Sequence, residues 1–179
     1  MAAPHLMPEQ VAQLARWVAE YITVQRARYA PDAMRLTPAQ WAAMEGFFSP
    51  DILNVRLLTL QGERIQNPPF YPQLQAIGFR NLPDQSAMDA ITFSDVVVSQ
   101  VPVTNGLLFH ELVHVEQYRQ LGIAPFSELY VTGFLNGGGY DRIPLEVHAY
   151  RLGAQYEANP EHRFSVEDAV RDCIQRQGY

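Results

Sequence analysis

The chain has 179 residues, of which 47% are hydrophobic and 18% are charged, a composition that suits one folded domain over residues 1–179. The formal net charge of −6 argues against a nucleic-acid partner. The sequence contains no run of about 18 or more apolar residues, so no membrane span is predicted. The first ten residues lack the pattern of a secretory signal, and the single cysteine cannot form an internal disulfide. We therefore expect a cytoplasmic protein, or one exported without a cleaved signal peptide.

Two helices are predicted at the N-terminal end, over about residues 8–48. Residues 8–29 carry apolar side chains at helical spacing. Thr37 and Pro38 match the N-cap and the first position of a second helix, which should extend to about Phe48.

A small sheet is predicted in the middle of the chain. Residues 54–60 form one expected strand, and residues 91–98, rich in β-branched side chains, form another. Residues 66–79 lie between them and are predicted to be irregular because of their prolines.

The C-terminal part is predicted to be helical. Thr104 or Asn105 should cap a helix that ends near Leu121, with Gly122 following it. Further helices are predicted over residues 127–135, 144–157 and 165–175. The expected fold is α+β, mostly helical, with a small sheet.

The sequence HELVH at residues 110–114 predicts a metal site. Residues four apart lie on one face of a helix, so the imidazoles of His110 and His114 can reach one ion. Zinc accepts imidazole nitrogens at about 2.0–2.1 Å. Glu111 is offset from that face, where its carboxylate can act as general base on a water held by the metal.

An inert pair of hydrogen-bonded histidines is the alternative interpretation of this motif. The surrounding side chains are largely apolar, so the helix that carries His110, Glu111 and His114 should be buried. Burying three such groups is costly unless something pairs with them, and a metal ion would do so. The sequence therefore favours the zinc site.

A catalytic zinc needs a third protein ligand. The HExxHxxGxxH pattern is excluded, because positions 117 and 120 are both glutamine. The remaining candidates are glutamates: Glu116, Glu128, Glu146, Glu157, Glu161 and Glu167. Glu146 is the best placed, since it lies in the first turn of the helix opened by Pro144 and shares a face with Ala149 and Gly153. These two residues are small, so we expect this face to approach the HELVH helix closely. Its alternative role is that of an acidic residue favoured at a helix N-terminus.

HELVHVEQYRQLG, followed by YDRIPLEVHAY, resembles the gluzincin group of zinc metallopeptidases. More narrowly, these residues are similar to small bacterial domains whose active helix contains HELxHVxQ, and the resemblance covers residues 105–153. It implies a zincin-like fold with a catalytic core over about residues 52–160. It also implies zinc held by His110, His114 and Glu146, with Glu111 as base. The strand near residues 91–98 would then border the cleft and pair with an extended peptide.

Two nearby side chains, Gln117 and Tyr140, have two interpretations each, and a third, His148, has one. Gln117 is either a support for His114 or a surface residue, and Tyr140 either stabilises an oxyanion or packs its loop. His148 is turned about 200° away from Glu146 on a helix, so we expect that it is not a ligand.

The function that these features predict is a zinc metallopeptidase acting on a peptide or protein substrate. The first alternative is a catalytically inactive zinc-binding module, structural or interacting, of a larger assembly or toxin system. The second is a zinc hydrolase that acts on a non-peptide amide or ester, because a metal polarises any carbonyl.

Overall fold

The computed structural model describes residues 4–179, and it confirms the prediction of a mostly helical α+β fold with a small sheet. The helices and strands follow in the order α1 (Pro8–Tyr29), β1 (Met34–Arg35), α2 (Pro38–Met44), β2 (Arg56–Thr59), α3 (Tyr71–Ala76), β3 (Ala90–Phe93), β4 (Val96–Ser99), α4 (Asn105–Leu121), α5 (Ile123–Gly137), α6 (Pro144–Ala158) and α7 (Val166–Gln175). Within residues 4–179, no helix is both long enough and apolar enough to cross a membrane.

The sheet is mixed and has four strands in the order β1-β2-β4-β3. β2 runs parallel to β4, whereas the β1–β2 and β3–β4 pairs are antiparallel. β3 is therefore an edge strand. Its neighbour on the helical side is α4, which carries the HELVH motif.

The single strand predicted over residues 91–98 is wrong, because the chain reverses there and forms the β3–β4 hairpin. Ser94 adopts a left-handed conformation with φ 62°, which produces the turn. Asp95 is held by an ion pair with Arg26 of α1. The turn lacks the glycine that usually marks a two-residue hairpin loop. The β-branched residues on both sides of it therefore predicted one continuous strand.

Several predicted boundaries also differ from the structure. α2 ends at Met44 rather than near residue 48, since Gly46 turns the backbone with φ 88°. The proline-rich segment 66–79, predicted to be irregular, contains α3, where Pro72 falls in the first turn and loses no helical hydrogen bond. α5 begins at Ile123, four residues before the predicted start, directly after Gly122.

α4 lies between two hydrophobic clusters. One cluster packs α1 against α5 and β3, and it includes Tyr118 from the end of α4. The other joins α4 to α6, α7 and the segment after α2, with Phe109 stacked on Tyr156 at a ring-centroid distance of 4.4 Å. The polar side chains of α4 are thus placed between two packed apolar layers, which fixes their positions.

Candidate metal centre

α4 positions His110 and His114 side by side. Thr104 caps the helix by accepting a hydrogen bond from the Leu107 amide, as the sequence predicted. His114 is buried and His110 is partly exposed, and their Nε2 atoms lie 3.1 Å apart. The two imidazoles therefore face one point.

α6 brings Glu146 to the same point. Pro144 occupies the first turn of α6, which places Glu146 near the helix start against α4. Glu146 Oε2 lies 3.6 Å from His110 Nε2 and 3.3 Å from His114 Nε2. Among the described residues, His110, His114 and Glu146 form a group whose ligand atoms could hold a metal ion.

The spacing of these three atoms suits a small tetrahedral ion. Ligands at about 2.0–2.1 Å from a tetrahedral centre are separated from one another by roughly 3.3–3.4 Å. The separations of 3.1, 3.3 and 3.6 Å scatter around that value. Glu146 Oε2 is also buried with no hydrogen-bond partner, although buried polar atoms are normally satisfied. An ion between the three side chains would satisfy it.

The same geometry couples the charges of the ligands. Burial alone would lower the pKa of His114, but the Glu146 carboxylate raises that pKa to about 9. Burial alone would raise the pKa of Glu146, and the two imidazoles hold it well below its usual range instead. A metal ion must therefore displace a proton from this pair when it binds.

Gln117 orients His114. Gln117 is fully buried, and its Oε1 lies 2.9 Å from His114 Nδ1. A carbonyl oxygen only accepts, so Nδ1 carries a hydrogen and the neutral ring leaves Nε2 to a metal. Gln117 Nε2 donates in turn to the Leu145 carbonyl at 3.1 Å and to the Tyr179 hydroxyl at 3.3 Å. Of the two interpretations of Gln117, these contacts match support of His114 and not a surface residue, whereas no local pattern in the sequence indicated Tyr179.

Replacing Gln117 should weaken metal binding without removing a ligand. We expect Gln117→Leu to raise the Kd for zinc by about 10–100-fold, because the His114 ring loses its orienting acceptor. Competition titration against a zinc chelator measures this change. The matched control is Gln120→Leu on the same helix, since Gln120 bonds to Glu116 and to the Glu167 carbonyl instead of the site. Equal weakening in both variants would contradict the orienting role.

Glu111 faces the same cleft from beside the triad. Its side chain is buried, and Thr92 of β3 donates a hydrogen bond of 2.6 Å to its Oε2. The second carboxylate oxygen remains available to a substrate or a water. Thr92 thus fixes the orientation of the proposed base, a contact that only the folding of β3 onto α4 produces.

Tyrosines surround the triad. Tyr140 lies next to Glu146, and its burial together with that negative charge raises its pKa. Tyr150 follows Glu146 by one turn, and its ring lies 4.5 Å from that of His110. The sequence indicated Tyr140 as a candidate oxyanion donor, but no role was predicted for Tyr150, although its spacing of four residues places it on the face of Glu146.

The other glutamates lie outside the described triad. Glu116 is buried but forms a bidentate ion pair with Arg119, with both nitrogen–oxygen distances at 2.8 Å. Glu167 pairs with Arg119 and Arg171. His148, expected not to be a ligand, points its Nδ1 to the Tyr179 hydroxyl at 2.6 Å.

α4 and α6 approach each other closely at a different glycine from the one expected. A side chain at Gly153 would meet nothing within 4 Å, so this residue is not a point of tight contact. Gly106 of α4 instead packs against the Glu157 carboxylate of α6, and a Cβ there would require the end of that side chain to move. Ala149 is fully buried between the helices, as predicted.

An open cleft of about 460 Å³ leads to the triad. His110, Glu111 and Tyr150 line it, together with Tyr140 and the start of β3. The partly exposed His110 therefore gives solvent and ligands a route to the centre.

Comparisons with known protein families, with curated proteins and with solved structures give no match for this chain. The resemblance of HELVHVEQ and IPLEVHAY to gluzincins therefore stays a prediction that depends on those residues. A function has to be argued from the triad, the carboxylate beside it and the cleft that reaches them.

Proposed function

We propose that the chain is a zinc metallopeptidase that hydrolyses peptide bonds, with His110, His114 and Glu146 as ligands and Glu111 as general base. The observation that carries the proposal is the spacing of 3.1–3.6 Å between the three ligand atoms, with a buried carboxylate on the adjacent helix position. Two imidazoles and one glutamate are a ligand set of catalytic zinc sites, which keep one position open. Magnesium and calcium prefer oxygen ligands, so the two imidazoles favour zinc.

The residues of the chain divide the work of hydrolysis between them. When bound, zinc supplies Lewis-acid polarisation of a carbonyl and increases the acidity of water. Glu111, held through one oxygen by Thr92, would take the proton from the attacking water with its other oxygen and pass it to the leaving amine. Tyr140 and Tyr150 line the cleft, and their hydroxyl groups would be the donors for the developing oxyanion.

The edge position of β3 supports a peptide substrate over another amide or ester. β3 pairs only with β4 among residues 4–179, so its outer edge offers backbone donors and acceptors. Ala90 lines the cleft, and Thr92 two residues later contacts Glu111. An extended peptide added to this edge would lie beside the proposed base.

The test combines metal analysis with a cleavage profile. The protein is prepared metal-free, zinc-loaded and zinc-restored after chelation, and each form is incubated with a proteome-derived peptide mixture. We expect one zinc ion per chain, and new peptide termini, identified by mass spectrometry, only with the two zinc forms. Stoichiometric zinc without new termini would replace the proposal with an inactive zinc-binding module, and absence of zinc binding would remove the metal centre itself.

A further inference from the structure

An apolar cavity of about 110 Å³ extends from the triad into the protein. Its walls come from α1, from residues 68–85, from β3 and from α5. Leu14 and Val18 of α1 line it on one side, and Val131 and Phe134 of α5 line it on another. Most of this wall is contributed by the part of the chain before the HELVH motif.

One polar group of the cavity wall, the Tyr21 hydroxyl, already has hydrogen-bond partners. The Tyr21 hydroxyl lies 2.7 Å from the Gln66 carbonyl and 2.5 Å from Gln85 Oε1. A polar ligand group in this region would have to compete with these hydrogen bonds, whereas an apolar group would leave them intact. The cavity is therefore suited to a hydrocarbon group.

The volume sets the size of that group. A dry apolar cavity of about 150 Å³ in another protein holds a benzene molecule. A cavity of about 110 Å³ has room for one aromatic ring or one branched aliphatic side chain. A methyl group would leave most of it empty and forgo the packing contacts of the walls.

The cavity borders the proposed metal centre. Glu111 and Tyr140 line both the cavity and the open cleft, while His114 and Glu146 line the cavity. We propose that this cavity is a specificity pocket, which takes one large apolar side chain, phenylalanine- or leucine-sized, next to the bond that is cut. The assignment rests on the proposed function, because it needs the metal centre to hold the neighbouring carbonyl.

Binding of two hydroxamates to the zinc-loaded protein tests the pocket without requiring turnover. A hydroxamate binds zinc, and the two probes differ only in a benzyl or a methyl substituent on the adjacent carbon. We expect calorimetry to show that the Kd of the benzyl probe is lower than that of the methyl probe by a factor of about 100 or more. Even a single methylene changes selectivity by about 10–200-fold. Equal affinities of the two probes would overturn the assignment of the specificity pocket. If neither probe bound, both this assignment and the proposed metal centre would be overturned.

Val18→Phe and Val24→Phe provide the matched variants on α1. Val18 lines the cavity, whereas Val24 is 54% exposed on the same helix. Val18→Phe fills the pocket and should weaken the benzyl probe about tenfold or more, with the methyl probe changed by less than about threefold. Val24→Phe should change neither probe, and equal effects of the two variants would overturn the assignment.

A smaller side chain at position 18 tests the pocket in the opposite direction. Val18→Ala enlarges the cavity and demands no new packing, so it should fold even if Val18→Phe does not. We expect it to shift preference from the benzyl probe towards a bulkier naphthylmethyl probe. An unchanged preference order in Val18→Ala would contradict the contact between Val18 and the bound group.

Discussion

Glu111→Gln is expected to lower kcat for peptide hydrolysis by about 10²–10⁴-fold while the zinc content stays at one ion per chain. The amide has nearly the same shape as the carboxylate and can still accept the hydrogen bond from Thr92. It cannot take a proton from water at neutral pH, so the reaction loses its general base. Steady-state kinetics on a peptide found in the cleavage profile, together with metal analysis, measure both quantities.

Glu116→Gln is the matched control for Glu111→Gln. Glu116 is also a buried glutamate of α4, but its carboxylate pairs with Arg119 instead of facing the cleft. The control should cost stability, because it breaks a charged pair, and it should leave kcat within a few-fold of the wild type. If Glu116→Gln and Glu111→Gln reduced kcat equally, or if Glu111→Gln retained full activity, the proposed role of Glu111 would be wrong.

Local chemistry made most of the helices and the HELVH motif predictable. α1 and α4 begin and end as the sequence analysis expected, since proline, threonine and glycine act within one turn of their own positions. The spacing of His110 and His114 follows from helical geometry alone. Glu146 could be selected because Pro144 fixes where α6 begins, and the structure brings Glu146 to the histidines.

The β3–β4 hairpin, the contacts that support the site and the apolar cavity depend on long-range contacts, so they could not be predicted from the sequence. The β3–β4 hairpin depends on a left-handed Ser94 and on the contact of Asp95 with Arg26, which is 69 residues away in sequence. The Tyr179–Gln117 contact spans 62 residues, and the Thr92–Glu111 contact needs β3 to pack on α4. The apolar cavity beside the triad is lined by residues of α1, β3, α4, α5 and α6 and of the segments between them, and none of these elements reveals it alone.

Zinc affinity is expected to weaken by about tenfold for each pH unit below about 9, over the range from about pH 9 to about pH 7. The pKa of His114 in the metal-free protein is raised to about 9, because the charge of Glu146 outweighs the effect of burial. Below this pKa the imidazole is protonated, and zinc must displace that proton. Above it the imidazole is neutral, so the affinity should level off. Titrations against a chelator of known zinc affinity at each pH measure the slope.

Glu146→Gln separates the roles of Glu146 as ligand and as counter-charge. The variant loses a charged ligand, so its Kd for zinc should rise. The increase should exceed the change of about 10–100-fold that is expected when a supporting residue is replaced. It also loses the charge that raises the pKa of His114, so the pH dependence should become flatter between about pH 7 and about pH 9. Glu157→Gln is the control, because Glu157 lies on α6 and lines the cleft but does not belong to the triad. Two results would show that the proton displaced by zinc is not held by the His114–Glu146 pair. One is a wild-type zinc affinity that does not change with pH in this range. The other is a zinc affinity of Glu146→Gln that depends on pH as steeply as that of Glu157→Gln.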